Sequence, residues 1–414
     1  MHILFLTDNF PPEVNAPASR TYEHAREWVK QGAQVTIITC APNFPQGKVF
    51  DGYKNRLRSV EDMDGIRVIR VWTYITANEG FYKRTLDYVS FMLSSFIASF
   101  GVRKVDVIIG TSPQFFTAIS AFLVSLAKRR PWIFELRDLW PATIKTVGAI
   151  KNGRVLSLLE ALEMFLYRRA TRIVAVTHSF KEELAARGIN ADKIDVVTNG
   201  ANLAHFKPSP KPLDLARTLG LEGRFVAGYV GTHGLTHGLE TVLDAAEILQ
   251  SVPGADHVRI VLLGDGARKA DLKANAARRS LTNVVFLDSV PKAQVPDYWA
   301  LLNVSIIHLR RDPLFRTVIP SKLFECMAMG IPVLHAVEGE SAEIVRRKGV
   351  GLTVTPEDAG ELAARIAELA AAPERLEAFR EKCLVSAERY DRANLARRMY
   401  AILSQTANTR ASRP

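Results

Sequence analysis

The segment Pro320-Ser-Lys-Leu-Phe-Glu-Cys-Met-Ala-Met-Gly-Ile-Pro-Val333 carries the residue types best suited to chemistry. Ser321 is a good helix cap, and the apolar run behind it predicts a helix over Ser321–Met329, stopped by Gly330. The first turn of a helix offers unpaired backbone N–H groups and a partial positive charge. With Lys322 in that turn and Arg316 just upstream, the place suits a diphosphate and needs no metal to hold it. Glu325 falls one turn further in, where a carboxylate suits the diol of a ribose. An ordinary capped helix with a surface lysine and glutamate has the same pattern, so this segment does not decide the matter alone.

A second charged group, Glu135-Leu-Arg-Asp-Leu-Trp-Pro141, closes an apolar strand, the end at which parallel sheets bind ligands. Asp138 is a candidate to orient an acceptor hydroxyl or help deprotonate it; a helix N-cap or a surface pair with Arg137 is the alternative. Asp62-Met-Asp64 has the spacing of metal-dependent transferases, but Asp64-Gly65 reads as a hairpin turn. His233 and His237 are four apart between Gly234 and Gly238, in a loop with no third ligand near, so no metal is expected. A G-x-S-x-G nucleophile elbow is missing from the sequence.

The elements that must position these residues alternate short apolar strands with helical patterns. The first half runs from His2–Thr7, through Gln34–Thr39, Val105–Gly110 and Trp132–Leu136, to Ile194–Val197. The second half repeats the plan from Phe225–Val230 to Pro332–His335, each strand ending in a turn that opens a helix. The expected fold is α/β, with two Rossmann-like domains facing each other across a cleft. Residues 1–200 would form the first domain, 201–212 a Pro-rich linker, and 213–387 the second. A last helix at about 388–406, with no strand after it, would pack back on the first domain.

The chain has 414 residues and a formal net charge of +11, and residues 1–205 hold 26 Lys and Arg against 19 Asp and Glu. That excess favours an anionic partner. No nucleic-acid module is present, which leaves a phosphorylated substrate or an anionic membrane. Cys40, Cys326 and Cys383 are too widely spaced for a disulfide framework, consistent with a reducing compartment. No run reaches the length of a membrane span. The nearest, Leu86–Phe100, lies between Lys83-Arg84 and Arg103-Lys104; it reads as a core helix, or as an interfacial helix with Phe91, Phe96 and Phe100 among lipid headgroups.

Pro320 to Val333 resembles the donor-binding signature of the retaining glycosyltransferases of family 4. It is more closely similar to a branch that includes bacterial fucosamine transferases of O-antigen and capsule assembly. There a Pro-Ser-Lys-x-Phe-Glu run follows a Pro-Leu-Phe-basic loop, as Pro313-Leu-Phe-Arg316 does here. Asn9–Ala16 resembles the family's first loop and Leu136–Pro141 its catalytic-side loop. Gly231–Gly234, Gly264–Gly266 and Val290-Pro291 resemble its donor-pocket turns. The six segments occur in order along nearly the whole chain.

The resemblance implies a GT-B fold, with residues 1–200 as acceptor domain and 213–387 as donor domain, and a retaining transfer from a nucleotide-diphosphate donor, UDP-linked, with neither cofactor nor metal. The sugar would be an N-acetylated deoxyhexosamine such as N-acetylfucosamine, and the acceptor a lipid-linked, lipopolysaccharide or capsule glycan. Glu325 would hold the ribose. Ser321, Lys322 and Leu323, with Gly231, Thr232, His233 and Gly234, would line the diphosphate. Gly264 and Gly266 would admit the nucleotide, and Val290 and Pro291 would flank its base. Glu13, Asn15, Ala16 and Arg20 would lie under the sugar and acceptor, with Arg137 and Asp138 on the acceptor side. Thr317 stands where many members carry the first Glu of a Glu-x7-Glu pair. Thr232 or His233, and His237, stand where many carry Arg and Lys. The phosphate charge then falls to Arg316 and Lys322, helped by His237. The protein would be cytoplasmic, peripheral on the inner face of the cytoplasmic membrane. A nucleotide-sugar epimerase and a non-catalytic nucleotide-sugar-binding protein are the rival readings.

Overall fold

The structure, a computed structural model, describes residues 1–44, 46–76, 81–112, 114–140 and 153–408. The chain divides into two compact units, one of Met1–Thr198 with the segment from Arg392 onward, the other of Asn199–Asp391.

The first unit begins β1 (His2–Leu6), α1 (Ala16–Lys30), β2 (Gln34–Cys40), β3 (Arg58–Met63) and β4 (Ile66–Val71). It continues α2 (Phe81–Ser99), β5 (Val107–Thr111), α3 (Phe115–Lys128), β6 (Trp132–Leu136), α4 (Gly153–Arg169), β7 (Arg172–Ala175), α5 (His178–Ala186) and β8 (Ile194–Val196). The eight strands lie in the order β3-β4-β2-β1-β5-β6-β7-β8, all parallel except β3. Every residue of β1 is buried, as a central parallel strand covered on both faces requires. The β3–β4 hairpin turns at Asp64 (φ 53) and Gly65, where Gly65 N–H donates to Asp62 Oδ1 at 3.0 Å. Asp64 is thus a turn residue, and Asp62, in β3, accepts the bond that closes the turn.

The second unit runs α6 (Leu213–Thr218), β9 (Phe225–Val230), α7 (Glu240–Gln250), β10 (Val258–Leu263), α8 (Lys269–Arg278), β11 (Val284–Leu287) and α9 (Val295–Ala300). Then come β12 (Val304–His308), α10 (Lys322–Met329), β13 (Val333–Ala336), α11 (Glu340–Lys348), β14 (Gly351–Thr353), α12 (Ala359–Ala370) and α13 (Pro373–Ala387). Its six parallel strands are ordered β11-β10-β9-β12-β13-β14. The order reverses direction beside β9, so the loops after β9 and β12 border the crevice where doubly wound sheets take ligands.

The last helix, α14 (Arg392–Asn408), belongs to the first unit. Leu395, Met399, Ile402 and Leu403 join Phe5, Trp28 and Val107 in one core, and Trp28 Nε1–H donates to Ala396 O at 2.9 Å. The stretch 201–212 is not a detached linker: Ala201 and Phe206 are buried in the core of the second unit, and Ala201 N–H donates to Tyr390 O.

On the other face of the first sheet, Phe91, Phe115 and Tyr167 share a core under α2, α3 and α4. Phe91 is therefore a core residue and not a headgroup anchor. The stripe that α2 leaves exposed is Leu86, Leu93 and Ile97, followed by Phe100. No helix among the described residues is long and apolar enough to cross a membrane.

Candidate functional site

In the second unit, the turns after β9 and β10 are built for close backbone approach. Gly231, Gly264 and Gly266 have φ of 140°, 145° and 153°, and a Cβ on Gly264 would lie 1.9 Å from Gly231 O. His233 N–H donates to Asp265 O, and Arg268 N–H donates to His233 O, so the two glycine turns form one floor. Only glycine meets both the angle and the space at Gly264.

Tyr229, near the end of β9, is fully buried, and its hydroxyl donates to Thr232 O at 2.8 Å. Lys322, the first residue of α10, reaches over that ring, its Nζ 3.6 Å from the centroid. The Nζ is sealed from solvent and has no hydrogen-bond partner among the described residues. Burial, opposed by Cys326 and Glu325, pushes this amine down to about 7. A buried amine with open donor positions suits an anion.

The imidazoles nearby do not add charge. His233 is fully buried with both ring nitrogens unpartnered among the described residues, and burial, then Lys269 and Lys322, push it down to about 4. His237, its Nδ1 likewise unpartnered, is pushed to about 4 by burial and by Lys322. Both are neutral near pH 7, each with one N–H to offer. His308 holds the loop: its Nε2 accepts Glu357 N–H at 3.1 Å, so the proton is on Nδ1, which donates to His237 O at 2.7 Å. Lys269 Nζ donates to Gly264 O, Leu287 O and Asp288 Oδ1, fixing the β10 and β11 turns from beneath.

The opening of α10 differs from the expected cap. Ser321 is already helical (φ −58, ψ −31) and its side chain makes no capping bond. Leu323 N–H donates to Pro320 O and the Leu323 side chain is buried, so Leu323 is a core residue rather than a diphosphate ligand. Ser321 and Lys322 supply the N–H groups that have no partner among the described residues. Glu325, one turn on, accepts Trp299 Nε1–H at 3.3 Å. Val290 is half-buried and Pro291 exposed, immediately before the turn Lys292–Gln294.

Arg316 takes a different place from the one expected. Its side chain is 63% exposed, and its Nε lies 3.9 Å from Glu338 Oε2. It lines a cavity of about 510 Å³ with Glu338, Arg346 and Glu361. Thr317 donates its hydroxyl to Leu314 O at 2.8 Å. The position thus has neither a carboxylate nor a free hydroxyl proton to give a sugar.

In the first unit the expected acceptor residues sort into scaffold and site. Arg20 is 2% exposed, its Nε donating to Glu135 Oε1 at 3.0 Å and its two terminal nitrogens to Thr198 O and Val197 O. Asn15 caps α1 by accepting Ala18 N–H, and Ala16 opens that helix. Glu13 is buried, with Oε1 accepting the N–H groups of Asn43 and Phe44. Glu13 and Arg20 are thus buried scaffold, whereas Asn15 is half-buried and Ala16 exposed at the start of α1.

Arg137 is the opposite case. Its Nε and Nη1 are sealed from solvent without a partner among the described residues, and burial, eased by Glu135, pushes it down to about 10. Ser112 Oγ accepts the N–H groups of Arg137 and Asp138 at 2.9 and 3.2 Å, fixing the backbone that carries both. Two carboxyls were not legible as site residues. Asp8, just past β1, has a sealed Oδ1 with no partner among the described residues, and burial, then Asp87, push it up to about 8. Burial pushes Asp87 of α2 up to about 7. A lone Asp after an apolar strand and another inside an apolar helix give no spacing signal for this meeting. Tyr229, Trp299 and Lys269 were missed for the same reason, since in sequence they read as core or surface residues.

Residues 15–200 match the family described as a glycosyl transferase 4-like domain, and residues 224–372 the glycosyl transferases group 1. WcaI of Escherichia coli (strain K12), provisionally named as a colanic acid biosynthesis glycosyl transferase, is 27% identical over 92% of this chain and 95% of its own. A sucrose-phosphate synthase from Thermosynechococcus elongatus superposes with a TM-score of 0.76 at 17% identity, over 98% of each chain. Anabaena Alr3699/HepE, in complex with UDP-glucose, gives 0.71 at 18% identity, over 98% of this chain and 100% of that one.

Proposed function

This chain belongs to the GT-B glycosyltransferases of family 4, and on that premise we propose how it works. The second unit binds a nucleotide-diphosphate sugar, UDP-linked, and the first unit binds the glycan that receives the sugar. Ser321 and Lys322 N–H groups and the Lys322 amine hold the diphosphate, with neutral His233 and His237 as further donors. Glu325, steadied by Trp299, holds the ribose, and the Gly264 and Gly266 turn admits the nucleotide. Val290 and Pro291 flank the base.

The observation that carries this reading is the Lys322 amine, buried and unpartnered among the described residues, at the mouth of α10 and against the Gly231 turn. Such an amine can neutralise a departing diphosphate without a metal. Transfer then proceeds with retention, the leaving phosphate oxygen taking the acceptor's proton on the face it departs from. Asp138 orients that hydroxyl, and Arg137 meets a negative group on the acceptor. The missing carboxylate at Thr317 fits a donor with fewer hydroxyls to hold, such as an N-acetylated deoxyhexosamine. WcaI's name, a colanic acid biosynthesis glycosyl transferase, supports a polysaccharide setting, here a lipid-linked, lipopolysaccharide or capsule glycan. The protein works in the cytoplasm, peripheral on an anionic membrane.

The test is release of UDP by purified protein given a nucleotide sugar and a lipid-linked acceptor. Product of retained anomeric configuration is expected, with activity preserved in excess chelator. Wild-type turnover by Lys322→Ala or Glu325→Ala would refute the assigned site.

A further inference from the structure

We propose that the C-terminal ends of α2, α3 and α4 form one docking corner by which the first unit seats on an anionic lipid bilayer. This rests on the membrane contact proposed above and names the surface that makes it. Each of these helices leads back to the start of a parallel strand, so their ends gather at the strands' N-terminal edge. Lys128 Nζ donates to Val102 O, tying the end of α3 to that of α2, and Trp132 Nε1–H donates to Arg169 O beside the end of α4.

Two independent features meet there. One is charge: Arg103-Lys104, Lys128-Arg129-Arg130 and Arg168-Arg169 supply seven cations. The carboxylate within these turns, Asp106, is occupied by His2 N–H at 2.8 Å. The other is exposed hydrocarbon. Ile97 is 69% exposed, Phe100 57%, Leu126 59% and Phe165 39%. Phe122, Leu126, Trp132 and Phe165 also floor a groove of about 540 Å³ that Arg130 and Arg169 border. Apolar side chains within a ring of cations match the boundary between lipid headgroups and acyl chains, with a phosphate beside each guanidinium. A second copy of the chain would bring seven cations against seven, which selects the bilayer as occupant.

The experiment is flotation of the full chain with phosphatidylcholine vesicles, pure or containing about one-third phosphatidylglycerol. Wild type is expected to float with the anionic vesicles, not with the neutral ones, and less at high salt. The pair Arg129→Glu with Arg130→Glu, and separately Leu126→Ser with Ile97→Ser, should each lower partitioning at least about tenfold. Val385→Ser, at a side chain 77% exposed in the second unit, should change nothing. All variants should release UDP normally with a water-soluble acceptor. Unchanged partitioning of the corner variants, or equal binding to neutral vesicles, would overturn the proposal. So would a lipid-free dimer that Leu126→Ser dissociates. Anionic vesicle binding without any sugar transfer would contradict the proposed function and leave the corner standing.

Discussion

Lys322 and Tyr229 come from different elements, yet the lysine Nζ sits 3.6 Å from the centre of the phenol ring. A ring face repays a cation by only about 0.5–2 kcal/mol, less than the cost of taking an ammonium out of water. The amine therefore rests near neutrality, at about 7, and under the proposed function a bound diphosphate restores its charge.

Donor binding should weaken as pH rises. Bound diphosphate favours the charged amine, so above pH 7 each binding event takes up a proton, and affinity falls by up to about tenfold per pH unit. His233 and His237, at about 4, stay neutral throughout this window. Calorimetry at pH 8 in two buffers of different ionisation enthalpy should show proton uptake, and Lys322→Arg should abolish it. Identical heats in both buffers for wild type would argue against a neutral resting amine.

Glu325→Gln should keep the fold but lose a charged acceptor for the ribose, raising KM for the donor by about 10- to 100-fold. Trp299→Phe, which removes the 3.3 Å bond to Glu325 Oε2, should raise it less. A lowered kcat at unaltered KM would place Glu325 elsewhere in the cycle.

Gly264→Ala places a methyl 1.9 Å from Gly231 O at a φ of 145°. The floor must then open, costing at least about 2 kcal/mol of stability and most of the donor affinity. Gly254→Ala, also at positive φ but with open space around it, should cost about 1 kcal/mol and leave donor binding alone. Equal effects of the two in thermal melts and titrations would rule out the close approach as the cause.

The two buried arginines of the first unit should separate. Arg20→Met strands Glu135 in the core and should cost about 3–5 kcal/mol. Arg137→Met removes a cation that has two sealed nitrogens without partners among the described residues, so stability should hold or rise while transfer drops. Chemical denaturation and UDP-release assays on both variants read the difference. A large stability loss for Arg137→Met would make it scaffold.

Asp8 gives a pH signature. Its carboxyl ionises near 3.8 when unfolded but near 8 when folded, so the folded state holds the extra proton and stability falls as pH rises between these values. Asp8→Asn removes that slope. The variant should gain stability relative to wild type on going from pH 5 to pH 8, read from melting temperatures. A pH-independent difference would show that Asp8 is already ionised.

Much of this was readable in the residues, and the rest was hidden for physical reasons. The two series of parallel strands followed from apolar runs closed by turns, and the helix that opens at Lys322 and carries Glu325 in its first turn followed from the apolar run behind Ser321. Ser321 failed as a cap because its own backbone is already helical, which side-chain type does not reveal. Arg20 read as a ligand because its partners, Glu135, Val197 and Thr198, are distant in sequence. Arg316 read as a phosphate ligand from proximity along the chain, but the turn Pro313–Thr317 carries it to Glu338. Long-range pairing decides whether a charged residue is scaffold or site, and one sequence does not record it.

The most direct measurement is a titration of UDP into wild type and Lys322→Met, both with chelator in excess. Metal-free binding by wild type and a loss of at least about tenfold in the cooperatively folded variant are predicted. Equal affinity of the two proteins, or binding by wild type only when a divalent ion is restored, would contradict the account.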